Sequence, residues 1–237
     1  MSRRLVLLLS AALLSLAAYS THASIWGAID AYREDVVYLS IQHMQLVAIS
    51  SALALVVAIP LGIWMSRPSQ HRYTLPILQF LNVGQAIPKL ALLALAMSFV
   101  GLGAPSAIFG LWVATLLPVA VNTFEGLRAV PAHLIEAAEA MGMTRAQILW
   151  RVELPNALYV IFAGIRTALA INVGTAPLAF LIGGGGLGEL IFTGIDLMEP
   201  GMLLAGAIPT ALLAVATDFL VGQAQFRLIP KGVNPLR

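Results

Sequence analysis

The chain has 237 residues, of which 59% are hydrophobic and 10% are charged, whereas soluble proteins carry about 25% charged residues. Its mean hydropathy of +0.90 excludes a soluble enzyme. One membrane span takes about 20 mostly apolar residues, so about six spans leave too few residues for a second globular domain. A net charge of +2 is too small to indicate nucleic-acid binding, and the absence of cysteine excludes disulfides and cysteine chemistry.

Long neutral stretches separated by charged residues predict an all-α fold, a polytopic transmembrane helical bundle. The stretch from Leu90 to Phe124 is too long for one span. The Gly- and Pro-containing run 101–105 divides it, because these residues interrupt helical hydrogen bonding. The predicted spans lie at about 5–20, 45–65, 77–100, 105–123, 158–182 and 201–220.

Basic residues predict the orientation of the bundle. With the first residues in the cytoplasm, ten basic residues lie inside and only Arg33 lies outside, in agreement with the excess of Lys and Arg in cytoplasmic loops of membrane proteins. The first segment also resembles a cleavable signal peptide, and cleavage would leave five spans in the same orientation. The ten inner residues are Arg3, Arg4, Arg67, Arg72, Arg128, Arg145, Arg151, Arg227, Lys231 and Arg237.

Three regions follow from this arrangement. Residues 1–40 are predicted to be an N-terminal hydrophobic segment with a short outer loop, residues 41–225 the transmembrane domain, and residues 226–237 a cytoplasmic basic tail. The outer segment, at about 21–44, is too short for a ligand-binding domain. Within the transmembrane domain, residues 125–156 form a cytoplasmic loop.

This cytoplasmic loop is predicted to contain two short helices. Pro131 favours the start of the first, and Gly142 favours its end, because glycine takes the left-handed conformation without a side-chain clash. Thr144 and Gln147 form a capping box for the second helix. Pro155 is predicted to stop that helix one or two residues before itself.

Small side chains beside charged ones make the first short helix approachable by another protein. Ala137 and Ala138 stand beside Glu136 and Glu139, and we expect a docking surface there. An amphipathic loop lying on the lipid interface is the alternative. The side chains predicted to pack back onto the bundle are Ile148, Leu149 and Trp150.

The loop resembles the EAA loop of ABC importer permeases. The resemblance lies in Glu136-Ala137-Ala138, in Gly142 six residues after the glutamate, and in Leu154-Pro155, with Val152 in place of the usual isoleucine. Motifs elsewhere resemble those of the glycine betaine, choline and carnitine uptake subgroup, from about Gln42 to the C-terminus. These motifs are Gly126-Leu127-Arg128, Met141 to Thr144, Gly164 to Ala168 and Gly183 to Gly188.

The resemblance implies an ABC importer permease fold and a half-transporter. Two permease chains, identical or related, form one pathway, and two cytoplasmic ATPase subunits each receive one EAA loop. In that role Glu136 contacts the ATPase and Gly142 permits the turn, while a separate extracytoplasmic protein binds the substrate. The resemblance assigns no catalytic residue, metal ligand or cofactor to this chain, because the partner ATPase binds ATP and Mg.

Two other patterns carry little chemistry. The run Gly183 to Gly188 fits the dinucleotide fingerprint G-x-G-x-x-G but follows a membrane helix, so we expect either a flexible outer turn that forms part of a gate or a plain Gly-rich loop. The chain has no G-x-x-x-x-G-K-[ST] sequence, so its energy comes from a partner. Four scattered histidines are expected to be interfacial or solvated rather than metal ligands: His22, His43, His71 and His133.

Polar residues within spans are candidates for the substrate pathway, because they are costly in lipid. Lys89 is the most informative, since a cation there attracts a substrate carboxylate and fits glycine betaine better than choline. Hydrogen bonding between helices explains the asparagine and threonine candidates equally well. The candidates, all in Gly- or Pro-interrupted helices, are Asn82, Gln85, Lys89, Asn172 and Thr175.

Two further charges fall within spans. Arg166 is predicted to lie near the inner end of the fifth span and to snorkel to the interface. Asp218 is predicted to snorkel or to pair with a positive group, with Arg227 or a neighbouring chain as the candidate partners.

We therefore predict the permease subunit of an ABC importer for osmoprotective quaternary amines, with glycine betaine favoured. One alternative is an ABC permease for another small zwitterion or amino acid. Another is a membrane scaffold that docks a cytoplasmic partner without transport. The expected partners are cytoplasmic ATPase subunits, a second permease chain, an extracytoplasmic binding protein and membrane lipid, with no nucleic acid.

Overall fold

The computed structural model describes residues 27, 30–230 and 232–233, and this part of the chain is helical without strands. Nine α-helices are numbered here along the described residues, with a five-residue π-helical segment (Leu149–Glu153) and two 3-10 segments (Pro68–Gln70 and Ala176–Ile182) between them. They are α1 (Arg33–Met65), α2 (His71–Ala86), α3 (Lys89–Val100), α4 (Ala104–Arg128), α5 (Ala132–Ala140), α6 (Arg145–Ile148), α7 (Leu154–Thr175), α8 (Gly188–Asp196) and α9 (Pro200–Leu228).

Membrane-spanning helices dominate the described chain. Four helical segments are long and apolar enough to cross a bilayer: 33–65, 104–128, 145–182 and 200–228. The pair formed by α2 and α3 supplies a fifth span if it is counted as one broken helix. The predicted all-α polytopic bundle is therefore confirmed. The predicted first span at 5–20 lies outside the described residues.

Two span boundaries differ from the sequence prediction. Helix α1 begins at Arg33, twelve residues before the predicted start of its span, and its 33 residues are more than one span requires, so the outer position of residues 21–44 stays a prediction. The early turns of α1 are held by packing, since Leu39 is buried in a cluster with Leu187 and Leu190 near α8. Helix α8 itself was not predicted, and α9 continues past the predicted end at residue 220. The proposed domain boundaries at residues 40 and 225 stay predictions.

The predicted single span at 77–100 is also wrong in shape, because the chain turns sharply within it. Helices α2 and α3 meet at an angle of 100°. Ile87 is extended between them, with φ −68° and ψ 129°, and it precedes Pro88. A proline disfavours helical backbone at the residue before it, which accounts for the break.

Pro155 does not stop the second short helix, so that prediction is wrong. The helical run continues from α6 through the π-helical segment into α7. In the π-helical turn the Leu154 N–H donates to the Leu149 carbonyl, five residues back. Pro155 then stands in the first turn of α7, where a missing N–H costs little.

Helix α4 forms the centre of the bundle, between α1 and α7. Small residues let the three backbones approach closely. A Cβ atom added to Gly62 of α1 would lie 2.5 Å from the Thr123 Cβ of α4, and one added to Gly164 of α7 would lie 2.6 Å from the Asn122 Cβ. Close approach through small residues is the usual way in which membrane helices gain packing contacts.

Candidate coupling surface and pathway residues

The cytoplasmic loop folds as two short helices joined by a tight turn. Helix α5 begins directly after Pro131, and Gly142 separates it from α6 with a φ of +77°. A Cβ atom on Gly142 would meet nothing within 4 Å, so the backbone conformation, rather than a lack of space, favours glycine. The predicted start of the first helix and the predicted left-handed turn are confirmed.

The predicted capping box at the start of α6 is confirmed. The Thr144 N–H donates to the Gln147 Oε1 at 2.8 Å. In return, the Gln147 N–H donates to the Thr144 Oγ1 at 3.4 Å. These two bonds satisfy amide groups that a helix start leaves unpaired, so the turn at Gly142 leads directly into a defined helix.

One side of α5 is anchored and the other is exposed. Ala138 is buried, whereas Glu136, Ala137 and Glu139 are exposed. On the open side, the Arg145 Nη1 lies 2.6 Å from the Glu139 Oε1, so an ion pair bridges the two short helices. The helix therefore presents a small, charged surface on its open side.

The side chains that follow α6 pack back only in part. Ile148 is buried, and Leu149 packs against the cluster of Leu127, Ala157 and Ile161. Trp150 is 69% exposed, so the prediction that it packs onto the bundle is wrong. The π-helical turn has a wider winding than an α-helix, and it places Trp150 on the outer side.

An ion pair ties the end of the loop to the cytoplasmic end of α1. The Arg67 Nη1 donates to the Glu153 Oε2 at 2.8 Å, and the Arg67 Nε donates to the Ile63 carbonyl at 3.2 Å. Glu153 is only 8% exposed. Sequence reasoning missed this pair because its members are 86 residues apart. One indication of a pair was present in the sequence, because Glu153 directly precedes an apolar span and a charged residue there needs a partner.

The first set of pathway candidates lies at the bend between α2 and α3. The Lys89 Nζ donates to the Gln85 Oε1 at 3.1 Å across the break. The Gln85 Nε2 in turn donates to the Ala114 carbonyl of α4. Asn82 is exposed on α2. This set is therefore anchored on the central helix.

The second set lies on α7 and is anchored on a different helix. The buried Asn172 Nδ2 donates to the Ser50 Oγ at 2.8 Å and to the Ser51 Oγ at 2.7 Å, both on α1. Thr175, the last residue of α7, is half-buried. The structure thus groups the two sets around different partners, α4 for the first and α1 for the second.

A match to a known protein family shows which class of protein carries this loop. The model described as "binding-protein-dependent transport system inner membrane component" matches residues 58–230. The chain belongs to this family. It is a multi-pass inner-membrane permease, a transport subunit of a binding-protein-dependent ABC transporter that works with partner ATPases. The predicted lack of a cofactor of its own agrees with this class of subunit.

Curated relatives of the permease cover most of its length. It is 49% identical over 213 residues to the osmoprotectant import permease protein OsmY of Salmonella typhimurium, covering 88% of this chain and 90% of that one. It is 40% identical to the carnitine transport permease protein OpuCB of Listeria monocytogenes, covering 83% and 89%. It is 37% identical to the choline transport system permease protein OpuBB of Bacillus subtilis, covering 86% and 93%.

Solved structures share the fold of the permease. An inward-facing form of the MetNI methionine ABC transporter matches with a TM-score of 0.69 and 26% identity, covering 84% of this chain and 96% of that one. An amino acid ABC transporter with histidines matches with a TM-score of 0.67 and 17% identity, covering 86% and 96%. The predicted ABC importer permease fold is therefore confirmed.

The Gly-rich run of the permease is a tightly packed turn. Gly183, Gly185 and Gly186 have φ values of 75°, 76° and 86°. The Gly186 N–H donates to the Gln42 Oε1 at 3.1 Å. A Cβ atom on Gly184 would lie 2.8 Å from the Ala107 Cβ, so backbones pack closely here. A role in an outer gate stays a prediction.

One histidine of the permease differs from the prediction. His43 is buried, with its Nε2 3.2 Å from the Val173 carbonyl, so its expected interfacial position is wrong. His71 and His133 are exposed as predicted, and His22 lies outside the described residues. The described residues contain no group of three or more His, Cys, Asp or Glu placed to hold a metal ion.

Asp218 pairs with a positive group, which was one of the two predictions for it, but its partner is Arg166. Asp218 of α9 binds Arg166 of α7, with the Arg166 Nε 2.8 Å from the Asp218 Oδ1 and the Nη2 2.6 Å from the Oδ2. The suggested partner Arg227 is therefore wrong. The two residues are 52 positions apart, so the bundle fold brings them together.

Proposed function

We propose that this permease carries osmoprotectant quaternary amines, with glycine betaine as its main substrate. The observation that carries the proposal is the 49% identity, over 88% of the chain, to a permease named for osmoprotectant import. Relatives named for carnitine and choline support the same class of solute. Glycine betaine is favoured within that class because it carries a carboxylate that Lys89 can attract.

The coupling surface is proposed to be the exposed side of the loop. In this scheme Glu136, Ala137 and Ala138 form the part of α5 that the ATPase approaches, and Gly142 holds the turn. Leu154 and Pro155 begin the membrane helix that follows. Closure of the ATPases on ATP then moves the loop, and the helices attached to it rock between outward-open and inward-open states. The chain performs no bond chemistry.

The proposed complex contains more than this chain. A second permease chain, identical or related, completes the pathway, and an extracytoplasmic binding protein delivers the solute. Asn82, Gln85, Lys89, Asn172 and Thr175 are proposed to line or support the pathway. Their polar groups supply contacts that lipid-facing side chains lack.

Uptake measurements test the substrate and the coupling loop together. Cells carrying the whole transporter take up labelled glycine betaine, with choline, carnitine and proline as competitors, at low and high osmotic strength. Gly142→Trp is expected to abolish uptake, because a left-handed residue with a side chain costs about 1–2 kcal/mol and the bulky ring covers the docking turn. Gly142→Asn is the matched control, because asparagine tolerates this conformation, and it should retain uptake.

Failure has two forms in this experiment. If the native transporter moves none of the four solutes, the osmoprotectant proposal is wrong. If Gly142→Trp transports as well as Gly142→Asn at equal amounts in the membrane, the coupling role of the loop is wrong.

A second candidate function is import of a small amino acid. The match to the MetNI methionine transporter, at 26% identity, favours it. Uptake of labelled methionine and histidine distinguishes the two candidates, because an amino acid importer accumulates one of these amino acids whereas an importer of quaternary amines accumulates neither. Membership of a transport family leaves the non-transporting scaffold hypothesis without support.

A further inference from the structure

The ion pair between Arg166 and Asp218 lies deep in the membrane-spanning part of the fold. Arg166 stands twelve residues after the start of α7, and Asp218 stands ten residues before the end of α9. At 1.5 Å per helical residue, both lie about 15–18 Å from the cytoplasmic ends of their helices. The hydrocarbon core of a bilayer is about 30 Å thick, whereas the 29 residues of α9 extend over about 43 Å, so the pair lies in the inner half of the membrane-spanning part.

Neither charge is enclosed by this chain. The Arg166 side chain is 39% exposed and the Asp218 side chain 49% exposed. Charged residues within membrane-spanning segments almost always face the bundle interior or a water-filled cavity rather than lipid. The two charges neutralise each other through two hydrogen bonds. Much of both side chains nevertheless remains exposed on the surface of this chain.

The exposed face of α7 is also unlike a lipid-facing surface. Four residues of this fully described helix are exposed, and their spacing of four, three and four places them on one face next to Arg166. None of them is a large apolar residue. They are Ala163, Thr167, Ala170 and Gly174.

Helix α9 has the opposite character away from Asp218. Its exposed side chains include large apolar groups that suit contact with lipid: Leu212, Val215, Phe219 and Leu220. Asp218 is thus a charged residue among apolar ones, and it lies on the side of α9 that faces α7. The small face of α7, with Thr167 as its one polar side chain, therefore adjoins the ion pair on the same side of the fold.

We infer that Arg166 and Asp218 line the substrate pathway and form a binding station for zwitterions that carry a quaternary ammonium group and a carboxylate. The Arg166 guanidinium binds the carboxylate, and Asp218 attracts the ammonium group. The pair offers one positive and one negative group, so each charged end of a zwitterion can lie next to the opposite charge. The substrate class in this inference rests on the proposed function, whereas the exposure of the pair to the pathway does not.

Water access is tested first, without any substrate. The native chain has no cysteine, so a single introduced thiol is the only one it carries. Thr167→Cys places a thiol on the exposed face of α7 beside Arg166. Leu220→Cys is the control on the apolar side, because it is two residues from Asp218 and therefore on a different side of α9.

The assembled transporter is treated with a membrane-impermeant methanethiosulfonate in right-side-out and inside-out vesicles. Labelling of Thr167→Cys from at least one side is expected to exceed that of Leu220→Cys on the order of tenfold, because only a hydrated thiol ionises and reacts. Equal, slow labelling of both positions from both sides overturns the inference, since the α7 face is then covered by lipid or by a partner chain. This result is independent of which solute the transporter carries.

Charge selectivity is tested next, as the ratio of glycine betaine uptake to choline uptake. Arg166→Gln should lower glycine betaine uptake about tenfold while choline uptake falls less, because only glycine betaine has the carboxylate. Asp218→Asn should weaken choline uptake more than Arg166→Gln does. A purely structural pair would lower both solutes equally, in proportion to the amount of transporter in the membrane. An unchanged ratio in both variants therefore overturns the binding role.

Discussion

Asn172 joins two membrane helices through hydrogen bonds that have no competition from water. Its Nδ2 lies 2.8 Å from the Ser50 Oγ and 2.7 Å from the Ser51 Oγ. A second bond between the same helices links the His43 ring to the Val173 carbonyl. These buried contacts position α7 against α1 whether or not the pathway also uses Asn172.

Removing the Asn172 amide should therefore lower the stability of the permease more than it changes its substrate specificity. Asn172→Ala is expected to destabilise the permease by about 1–2 kcal/mol, because the two hydrogen bonds that the Asn172 amide donates to Ser50 and Ser51 are lost in a region of low dielectric constant. Thermal unfolding of the purified complex in detergent measures the change. Thr175→Ala, one helical turn further along α7 and less buried, is the control and should have a smaller effect. Equal melting temperatures for the native and Asn172→Ala proteins would contradict the structural role.

At the scale of whole elements, the proposed coupling loop (residues 125–156) is attached to the bundle at both ends. Its first helix follows α4 after a short connection, and its last turn is held by the pair of Arg67 and Glu153. The π-helical segment carries Glu153 directly into α7, so the loop and that span form one continuous helical run. A displacement of the loop therefore reaches α7 along the helix and α1 through the ion pair.

Breaking this ion pair should uncouple ATP hydrolysis from transport. In Arg67→Glu or Glu153→Arg the two positions carry like charges, and the lost bond between charged groups contributes about 1.5–3 kcal/mol. The number of solute molecules moved per ATP hydrolysed is expected to fall about tenfold in each single variant. The measurement is parallel uptake and phosphate release in proteoliposomes.

Two further variants give this prediction its controls. The double variant Arg67→Glu with Glu153→Arg restores opposite charges and should recover most of the coupling. Arg72→Glu changes an exposed arginine nearby and should leave the ratio unchanged. Coupling that stays low in the double variant would show that the charges do not act as a pair.

Features that depend on nearby residues were predictable from the sequence, and features that depend on the fold were not. The turn at Gly142 and the capping box at Thr144 arise from a few adjacent residues, so their patterns are sufficient. The continuation through Pro155 depends on a π-helical turn that no local pattern announced. The burial of His43 and the pairing of Glu153 depend on residues far away in the chain.

At the scale of the whole molecule, the described chain has little structure outside the membrane on its outer side. The connection between α3 and α4 is three residues long, and that between α8 and α9 is also three residues long. The Gly-rich connection before α8 packs against α1 rather than projecting outward. None of these segments is large enough to fold into a domain that selects a solute.

Substrate choice should therefore be shared between a separate binding protein and the ion pair in the pathway. In proteoliposomes containing this permease and its ATPase, adding the loaded binding protein is expected to stimulate uptake about tenfold, a typical size for coupling between two sites. Replacing it with a binding protein of different specificity should change which solute is delivered. The pair of Arg166 and Asp218 should still set how well a delivered cation passes relative to a zwitterion. Full-rate, selective uptake without any binding protein would contradict this prediction. The permease alone would then recognise its substrate, although its outer connections are short.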